Sequence, residues 1–449
     1  MSPSSEPAFR VTSRMVLAIA LPMTLAQVTI PLVGVVNMGV VGRTGDAAAI
    51  GGIALGALAF DFLFSTFSFL RAGTTALTAQ ALGANDAREQ RAVLLRALLL
   101  SFAIGLGLLV LQRPLILGFL AAIHPGEAAT AATRAYFDIR VYSVPFGLAN
   151  AALFGWVLGL GRAGLGLGLI SVLNGLNIGL ALLLGVWFGL GIEGVAWSTI
   201  LAEATTLAIA LLILTPRLRA GPLPDRAELL DAAAFGRLML LNRDLMIRSV
   251  VLLTGFAGFS AVGARLGDAT LAANAVLMNF FLVGAFFLDG LATAAEQLVG
   301  RAFGAACRIA FDDAVRLSVT WGFAVSLFAS TVLLFAGPAG IDILAADPEV
   351  RTLAREFLPY AAATPLLAVL AFEMDGVFIG ATWSRDMRNM MLLSAAVFAL
   401  LLVLLVPSYG NHGLWVALLV FLTLRGATLA LRLGVRTRRA RGATLFARS

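Results

Sequence analysis

The sequence predicts an all-α polytopic membrane protein with about twelve transmembrane helices in two six-helix lobes. Three observations predict this fold: an excess of apolar residues, the length of the apolar stretches and an internal repeat. Of 449 residues, 60% are hydrophobic and 13% are charged, and the mean hydropathy is +0.95. Soluble domains are about half apolar and about a quarter charged. A soluble core could not bury this excess, so we expect the chain to lie in a bilayer.

The apolar residues form stretches long enough to cross a membrane as helices. At about 1.5 Å per residue, about 20 helical residues cross the hydrocarbon region. The predicted spans are 15–41, 48–72, 93–112, 135–160, 165–190 and 194–214, followed by 236–262, 270–299, 314–336, 353–381, 388–407 and 411–432. The longest polar connection lies between the sixth and seventh spans. The predicted domains are therefore a lobe at 1–215, an inter-lobe loop at 216–235, a second lobe at 236–435 and a basic tail at 436–449.

Short segments recur roughly 220 positions apart, which supports the division into two lobes. The pairs are Gln80–Ala84 with Arg301–Ala305, Gly155–Gly159 with Gly376–Gly380, and Gly191–Gly194 with Gly410–Gly413. Six spans separate the members of each pair, so both members lie on the same side of the membrane. The lobes are therefore expected to be parallel repeats related by an axis along the membrane normal, with a cavity between them.

The basic residues predict the orientation in the membrane. All of them are arginine, and they concentrate in one alternate set of loops and in the C-terminal tail. By the positive-inside rule we expect both termini in the cytoplasm and the protein in the inner membrane of a bacterium. Topology thus accounts for the net charge of +7, and we expect no nucleic-acid partner. The segment after Arg10 and Arg14 is too long for a signal peptide and is expected to remain as the first helix.

The residue types argue against an enzyme. The absence of lysine excludes Schiff-base chemistry, and the single cysteine, Cys307, excludes an internal disulfide. His124 and His412 are too sparse for a metal cluster. We therefore expect no cofactor other than H⁺ or Na⁺ as a coupling ion.

Ionisable side chains inside the predicted spans are the main functional signal, because each is costly in hydrocarbon. The acids are Asp61 and Glu203 in the first lobe and Asp289, Glu296, Glu373 and Asp375 in the second. Buried carboxyl groups can exchange protons or coordinate Na⁺. We predict ion or proton coupling at the four second-lobe acids and at Asp61. The alternative is that each acid only pairs with a neighbouring arginine or a helix end, as the i,i+4 spacing of Asp244 and Arg248 indicates for that pair.

Other side chains within the spans are predicted to contact a transported molecule. Amides, a carboxylate and soft or aromatic side chains suit flat apolar or cationic compounds. The predicted cavity residues are Asn37, Asn174, Asn177, Glu203, Met278 and Phe287. Pro145 in the fourth span is expected to bend that helix.

Several segments together resemble the multidrug and toxic compound extrusion (MATE) family over essentially the whole chain. They are Thr75–Ala84, Leu241–Ser249, Asn274–Met278 and Asp375–Thr382, and Arg385–Asn389 and Gly410–Trp415 further resemble its DinF-like branch in Gram-negative bacteria. The resemblance implies two bundles around a V-shaped cavity. It also implies export of amphipathic, often cationic compounds in exchange for H⁺ or Na⁺.

Two positions depart from the family pattern. Many relatives carry an acid where this chain has Asn37, and another four residues after the fifth-span Asn177, where this chain has Ala181. The first-lobe mechanism that the resemblance implies therefore cannot be carried over unchanged, although Asp61 is a candidate substitute. We expect coupling mainly in the second lobe.

The leading hypothesis is a monomeric secondary active exporter that works by alternating access. A flippase for lipid-linked precursors would need a strongly cationic cavity, which the acid-rich second lobe argues against. An integral-membrane isoprenoid transferase would need clustered aspartates for Mg²⁺, and Asp312 and Asp313 lack further partners. An ATP-driven pump is disfavoured because the sequence has no P-loop.

Overall fold

The computed structural model describes residues 10–43, 47–221, 224–229 and 231–439. Within these ranges the regular secondary structure is entirely helical. This confirms the predicted all-α fold class.

Long helices follow one another along the chain. The first part forms α1 (Ser13–Gly42), α2 (Ala47–Thr66), α3 (Phe69–Gly83), α4 (Ala87–Val110), α5 (Gln112–Ile123), α6 (Glu127–Arg140), α7 (Val144–Gly159), α8 (Ala163–Leu180) and α9 (Gly191–Arg219). The second part forms α10 (Arg226–Leu229), α11 (Ala232–Arg265), α12 (Asp268–Gly304), α13 (Arg308–Leu344), α14 (Pro348–Gly380) and α15 (Ser384–Arg439).

In the described part of the chain, eleven helical stretches are long and apolar enough to cross a membrane. The last of them contains two predicted spans, 388–407 and 411–432. These two spans meet at Gly410, whose φ of 54° and ψ of −129° are not helical. Glycine tolerates this positive φ because it has no Cβ atom. The chain is thus a multi-pass membrane protein, and the twelve predicted spans lie mainly on helix.

The predicted fourth span belongs to one helical stretch, Glu127–Gly159, which a 3₁₀ turn interrupts. A 3₁₀ turn at Val141–Ser143 separates α6 from α7, and Pro145 lies in the first turn of α7. Proline is tolerated there because the first N–H groups of a helix have no intrahelical acceptor. The break places Arg140 at the C-terminal end of α6. The short apolar helix α5 was not expected from the sequence.

Acidic caps fix the starts of two spanning helices. Asp86 precedes α4 and accepts a hydrogen bond from the backbone N–H of Glu89 at 2.8 Å. Asp347 precedes α14 and accepts one from the N–H of Glu349 at 2.7 Å, with Pro348 at the first helical position. These side chains satisfy N–H groups that would otherwise lack acceptors.

The chain forms two compact units. The N-unit comprises Leu25–Leu82 and Asp86–Met239, and the C-unit comprises the residues up to Thr24, Gly83–Asn85 and the chain from Leu240 onward. The predicted domains place the whole of α1 in the first lobe, whereas the compact units divide it after Thr24. The domain boundaries drawn from the sequence stay a prediction.

In the N-unit, two glycines allow α7 to pack closely on α3. A Cβ atom on Gly155 would overlap the backbone carbonyl of Arg71, and one on Gly159 would lie 2.6 Å from the carbonyl oxygen of Thr75. Small residues four apart let the backbones of membrane helices approach each other.

In the C-unit, the equivalent glycines make the equivalent contact between α14 and α12. A Cβ atom on Gly376 would overlap the carbonyl of Ala292, and one on Gly380 would overlap that of Glu296. All four residues lie 221 positions after their N-unit counterparts. The internal repeat predicted from short motifs is therefore also present in helix packing within each unit.

The C-unit core joins α11, α12 and α15 around a buried tryptophan. The Trp415 indole N–H donates to Oδ1 of Asn274 at 2.9 Å, and its ring lies edge-on to Phe259 with centroids 5.2 Å apart. Asn274 and Asn411 also exchange amide hydrogen bonds of 2.8 and 3.0 Å. Two of the motifs that resemble the MATE family thus hold these helices together.

Candidate functional site

Asp375 of α14 lies between two arginines from neighbouring helices of the C-unit. Arg425 of α15 donates to its Oδ2 at 2.9 Å, and Arg248 of α11 donates to the same oxygen. All three side chains are at most 15% exposed. One carboxylate therefore faces two guanidinium groups. Removal of this carboxylate would leave both positive charges uncompensated in a region of low dielectric. This arrangement matches the alternative in which an acid neutralises arginine.

The predicted i,i+4 pair of Asp244 and Arg248 is wrong. Oδ1 of Asp244 accepts from Arg388 at 2.7 Å, and Oδ2 accepts from the Ser384 hydroxyl at 3.0 Å. Arg248 instead reaches Asp375 on α14. Helical spacing brings two side chains onto one face, but here each has a charged partner on another helix.

Glu373 lies two residues before Asp375, and its environment is different. Its side chain is fully buried, and a Cβ atom on Gly322 of α13 would lie 2.9 Å from its Oε1. Among the described residues, neither carboxyl oxygen has a hydrogen-bond partner. Glu373 thus differs from Asp375, which forms ion pairs with two arginines.

The other predicted coupling acids of the C-unit lie on α12. Glu296 is buried, and its backbone carbonyl forms the close contact with Gly380. Asp289 is half-buried, and its backbone carbonyl accepts from the Thr293 hydroxyl at 2.8 Å. In the described residues, no three His, Cys, Asp or Glu side chains lie together as a metal site would require. The coupling role of these acids stays a prediction.

In the N-unit, Glu203 of α9 is held by an amide from α7. Nδ2 of Asn150 donates to Oε2 of Glu203 at 2.5 Å and to its backbone carbonyl at 2.9 Å. A Cβ atom on Gly147 would lie 3.4 Å from the other carboxyl oxygen. Glu203 thus lies at the contact of α7 and α9, and its predicted contact with a transported molecule is not tested.

Arg140 is a candidate functional residue that the sequence analysis missed. Its guanidinium carbon lies 4.4 Å from the ring centroid of Phe60, and Nη1 donates to the Tyr136 hydroxyl at 2.7 Å. The cation also interacts electrostatically with the exposed Asp61 and with Glu203. Its signal in the sequence is an arginine inside the predicted span 135–160, whereas the ionisable residues named there as functional were acids. The structure thus brings together ionisable groups from α2, α6 and α9.

The three predicted cavity asparagines lie on α1 and α8 of the N-unit. Asn174 donates to the Thr29 hydroxyl at 2.7 Å, and Asn177 donates to the Thr199 hydroxyl at 3.1 Å. Within the described ranges, the buried Oδ1 atoms of Asn37 and Asn177 have no hydrogen-bond partner. These oxygens are unused acceptors in a spanning region.

The two departures from the family pattern, Asn37 on α1 and Ala181 at the end of α8, lie near each other in the N-unit. Thr29 contacts Asn174, and a Cβ atom on Gly185 would overlap the Val40 side chain, so both contacts join residues 145 positions apart. The helices therefore run in the same direction, and Asn37 lies level with the segment that begins at Ala181. A π-helix occupies 181–187, a form often found at functional sites.

The two apolar cavity candidates lie in different environments. Met278 packs against the C-unit core, whereas Phe287 is 40% exposed. Core packing thus accounts for Met278, and contact with a transported molecule stays a prediction for both residues.

Comparison with known proteins shows which family the chain is similar to. The MatE family model matches residues 22–183 and 245–405, one match in each half. The chain is 39% identical over 415 residues to DNA damage-inducible protein F of Escherichia coli (strain K12), covering 92% of this chain and 90% of the relative. It is 27% identical to a probable multidrug resistance protein NorM of Rhodopseudomonas palustris, covering 100% and 97% of the two chains.

Solved structures share the fold at low sequence identity. A Vibrio cholerae MATE transporter aligns with a TM-score of 0.87 at 18% identity, covering 97% of this chain and 98% of that chain. A multidrug resistance MATE family transporter in an outward-facing conformation aligns with a TM-score of 0.85 at 16% identity, covering 95% and 96%. At these identities the likeness supports the architecture alone.

Proposed function

Because the chain belongs to the MATE family, we propose that it exports small amphipathic organic molecules, including cations, in exchange for protons by alternating access. Matches to the family model in both halves and a relative named as a multidrug resistance protein support export. The positive-inside distribution of arginine supports a bacterial inner-membrane location with both termini in the cytoplasm. The protein is not an enzyme.

The burial of Glu373 is the observation that carries the proposal of ion coupling. A carboxyl group in an apolar, spanning region costs free energy, so its presence there indicates a functional role. Glu373 packs against Gly322, and its carboxyl oxygens have no hydrogen-bond donor in the described part of the chain. We therefore propose that protonation of Glu373 couples the proton gradient to export.

The same surroundings favour H⁺ over Na⁺ at this residue. Hard cations are bound by several oxygen ligands together. Among the described residues, Glu373 belongs to no group of three or more His, Cys, Asp or Glu side chains that could hold a metal ion. A proton needs a single oxygen. Asp61, Asp289 and Glu296 remain candidate coupling residues.

One observation favours the flippase alternative. In the C-unit, Arg248 and Arg425 share the single acid Asp375, which leaves one formal positive charge in the buried group. Excess guanidinium charge suits a phosphate-bearing substrate. A lipid-linked pyrophosphate is therefore the second candidate substrate.

Efflux from proteoliposomes with one gradient at a time tests the proposal. The purified protein is reconstituted with a fluorescent planar organic cation inside, and a pH gradient or a Na⁺ gradient is imposed separately. We expect the pH gradient to drive efflux and the Na⁺ gradient not to. Efflux with Na⁺ alone would contradict proton coupling. Movement of a fluorescent lipid-linked pyrophosphate without movement of the cation would contradict export of cations.

A further inference from the structure

A pocket of about 220 Å³ lies in the N-unit where four helices begin or end. It is lined by Leu82 from the end of α3, Gln90 and Arg91 from the start of α4, Trp156 and Leu160 from the end of α7, and Arg217 from the end of α9. Because these are the ends of spanning helices, we expect the pocket near the boundary between membrane and water. Its volume is that of about seven water molecules at ~30 Å³ each, which is more than a bare phosphate needs.

Arg217 lines this pocket, and a second arginine lies near it. Arg162, in the loop between α7 and α8, lies close enough to Arg217 for their charges to interact. Within the described ranges, neither of these two side chains forms an ion pair. Like charges brought together in this way favour the binding of an anion.

The acids at this end of the N-unit have other partners. Arg88 binds both Asp225 and Glu228 at 2.9 Å, and Arg96 binds Glu89 at 2.9 Å. Asp86 caps α4, as described above. These contacts occupy Asp225, Glu228 and Glu89, so these three acids do not pair with Arg162 or Arg217.

The wall of the pocket is apolar and fixed in position. The Trp156 side chain is buried, and its indole N–H donates to the backbone carbonyl of Gln90 at 2.7 Å. The Leu160 side chain lies beside it. A pocket lined by arginine, an indole and a leucine suits a ligand with a phosphate ester at one end and an apolar part at the other.

We propose that this pocket binds the phosphodiester headgroup of an anionic phospholipid. Basic pockets between spanning helices at the cytoplasmic surface are suited to such headgroups, and the apolar wall would contact the glycerol and the first acyl carbons. A soluble phosphate ester shares the charge but has no apolar part to place against Trp156 and Leu160. The site is separate from Glu373 and does not depend on the proposed function.

Native mass spectrometry of the purified full-length protein in a neutral detergent tests this site. Phosphatidylglycerol, phosphatidylcholine and glycerol phosphate are titrated separately, and melting temperatures are measured in parallel. We expect phosphatidylglycerol to bind and to raise the melting temperature, with little effect of the other two. Arg217→Gln and Arg162→Gln should each weaken phosphatidylglycerol binding about fivefold.

Arg113→Gln is the matched control, because Arg113 is an exposed arginine beyond the opposite end of α4. This variant should bind phosphatidylglycerol as the original protein does. Equal binding of the two phospholipids, or unchanged binding by both test variants, would overturn the proposal. Tighter binding of glycerol phosphate than of phosphatidylglycerol would overturn the lipid as the source of the phosphate. If Arg217→Gln does not fold, Arg162→Gln decides alone, because Arg162 lies in an exposed loop.

Discussion

Gly322 of α13 leaves space for the carboxyl group of Glu373, since a Cβ atom at position 322 would lie 2.9 Å from Oε1. Within the described part of the chain this carboxyl group has no hydrogen-bond partner. Its replacement by an amide of the same shape therefore breaks no bond of the described structure.

Glu373→Gln should keep the fold and abolish most proton-driven efflux, because the amide cannot be protonated in the same way. The measurement is efflux of a planar organic cation from proteoliposomes under a pH gradient, together with the melting temperature. Glu349→Gln, an exposed change in the first turn of the same helix, is the control. Normal gradient-driven efflux by Glu373→Gln would rule out Glu373 as the coupling residue.

Asp375→Asn should destabilise the protein, because two buried arginines lose their shared carboxylate. Removal of one partner from a buried ion pair costs about 3–5 kcal/mol. Asp312→Asn removes an acid from the exposed pair with Arg308 and should cost less than about 1 kcal/mol. Unfolding in a mixed detergent, followed by tryptophan fluorescence, compares the two variants. Equal small losses would show that Asp375 does not stabilise the C-unit.

The close helix contacts in both units should resist even one added methyl group. Gly159→Ala and Gly380→Ala place a Cβ atom against a backbone carbonyl, and such overpacking costs about 1–3 kcal/mol. Gly168→Ala on α8 is the control, because nothing lies within 4 Å of its Cβ position. Melting temperatures of the three purified variants check this prediction. A control that melts as low as the other two would mean that crowding is not the cause.

Arg140→Lys should lower stability although the charge is kept. A lysine ammonium cannot reproduce the planar contact over Phe60 together with the hydrogen bond to Tyr136. Loss of the stacking should cost about 1 kcal/mol. Arg134→Lys changes an exposed arginine of the same helix and should have little effect. The readout is the melting temperature, and equal melting of the two variants would contradict a role for the guanidinium plane.

The sequence was sufficient for the architecture because the bilayer imposes it. Length and apolarity determine which segments can span, and the predicted spans lie mainly on helix. The motif pair Gly155–Gly159 and Gly376–Gly380 also marked real contacts, since both glycines of each motif face a backbone carbonyl.

The charge partners were less predictable. Helical spacing gives only the neighbours within one helix, so it paired Arg248 with Asp244 rather than with Asp375. The contact of Arg140 with Phe60 also joins different helices. Such contacts follow from tertiary packing, which spacing along one helix does not contain.

The repeated glycine contacts also record how the chain arose. Contacts that recur at one offset of 221 positions are most simply inherited from a single half-length ancestor that was duplicated and fused. Glu296, Glu373 and Asp375 correspond at that offset to Thr75, Ala152 and Phe154. At these three positions the two halves therefore differ in charge, although both have the same close helix contact.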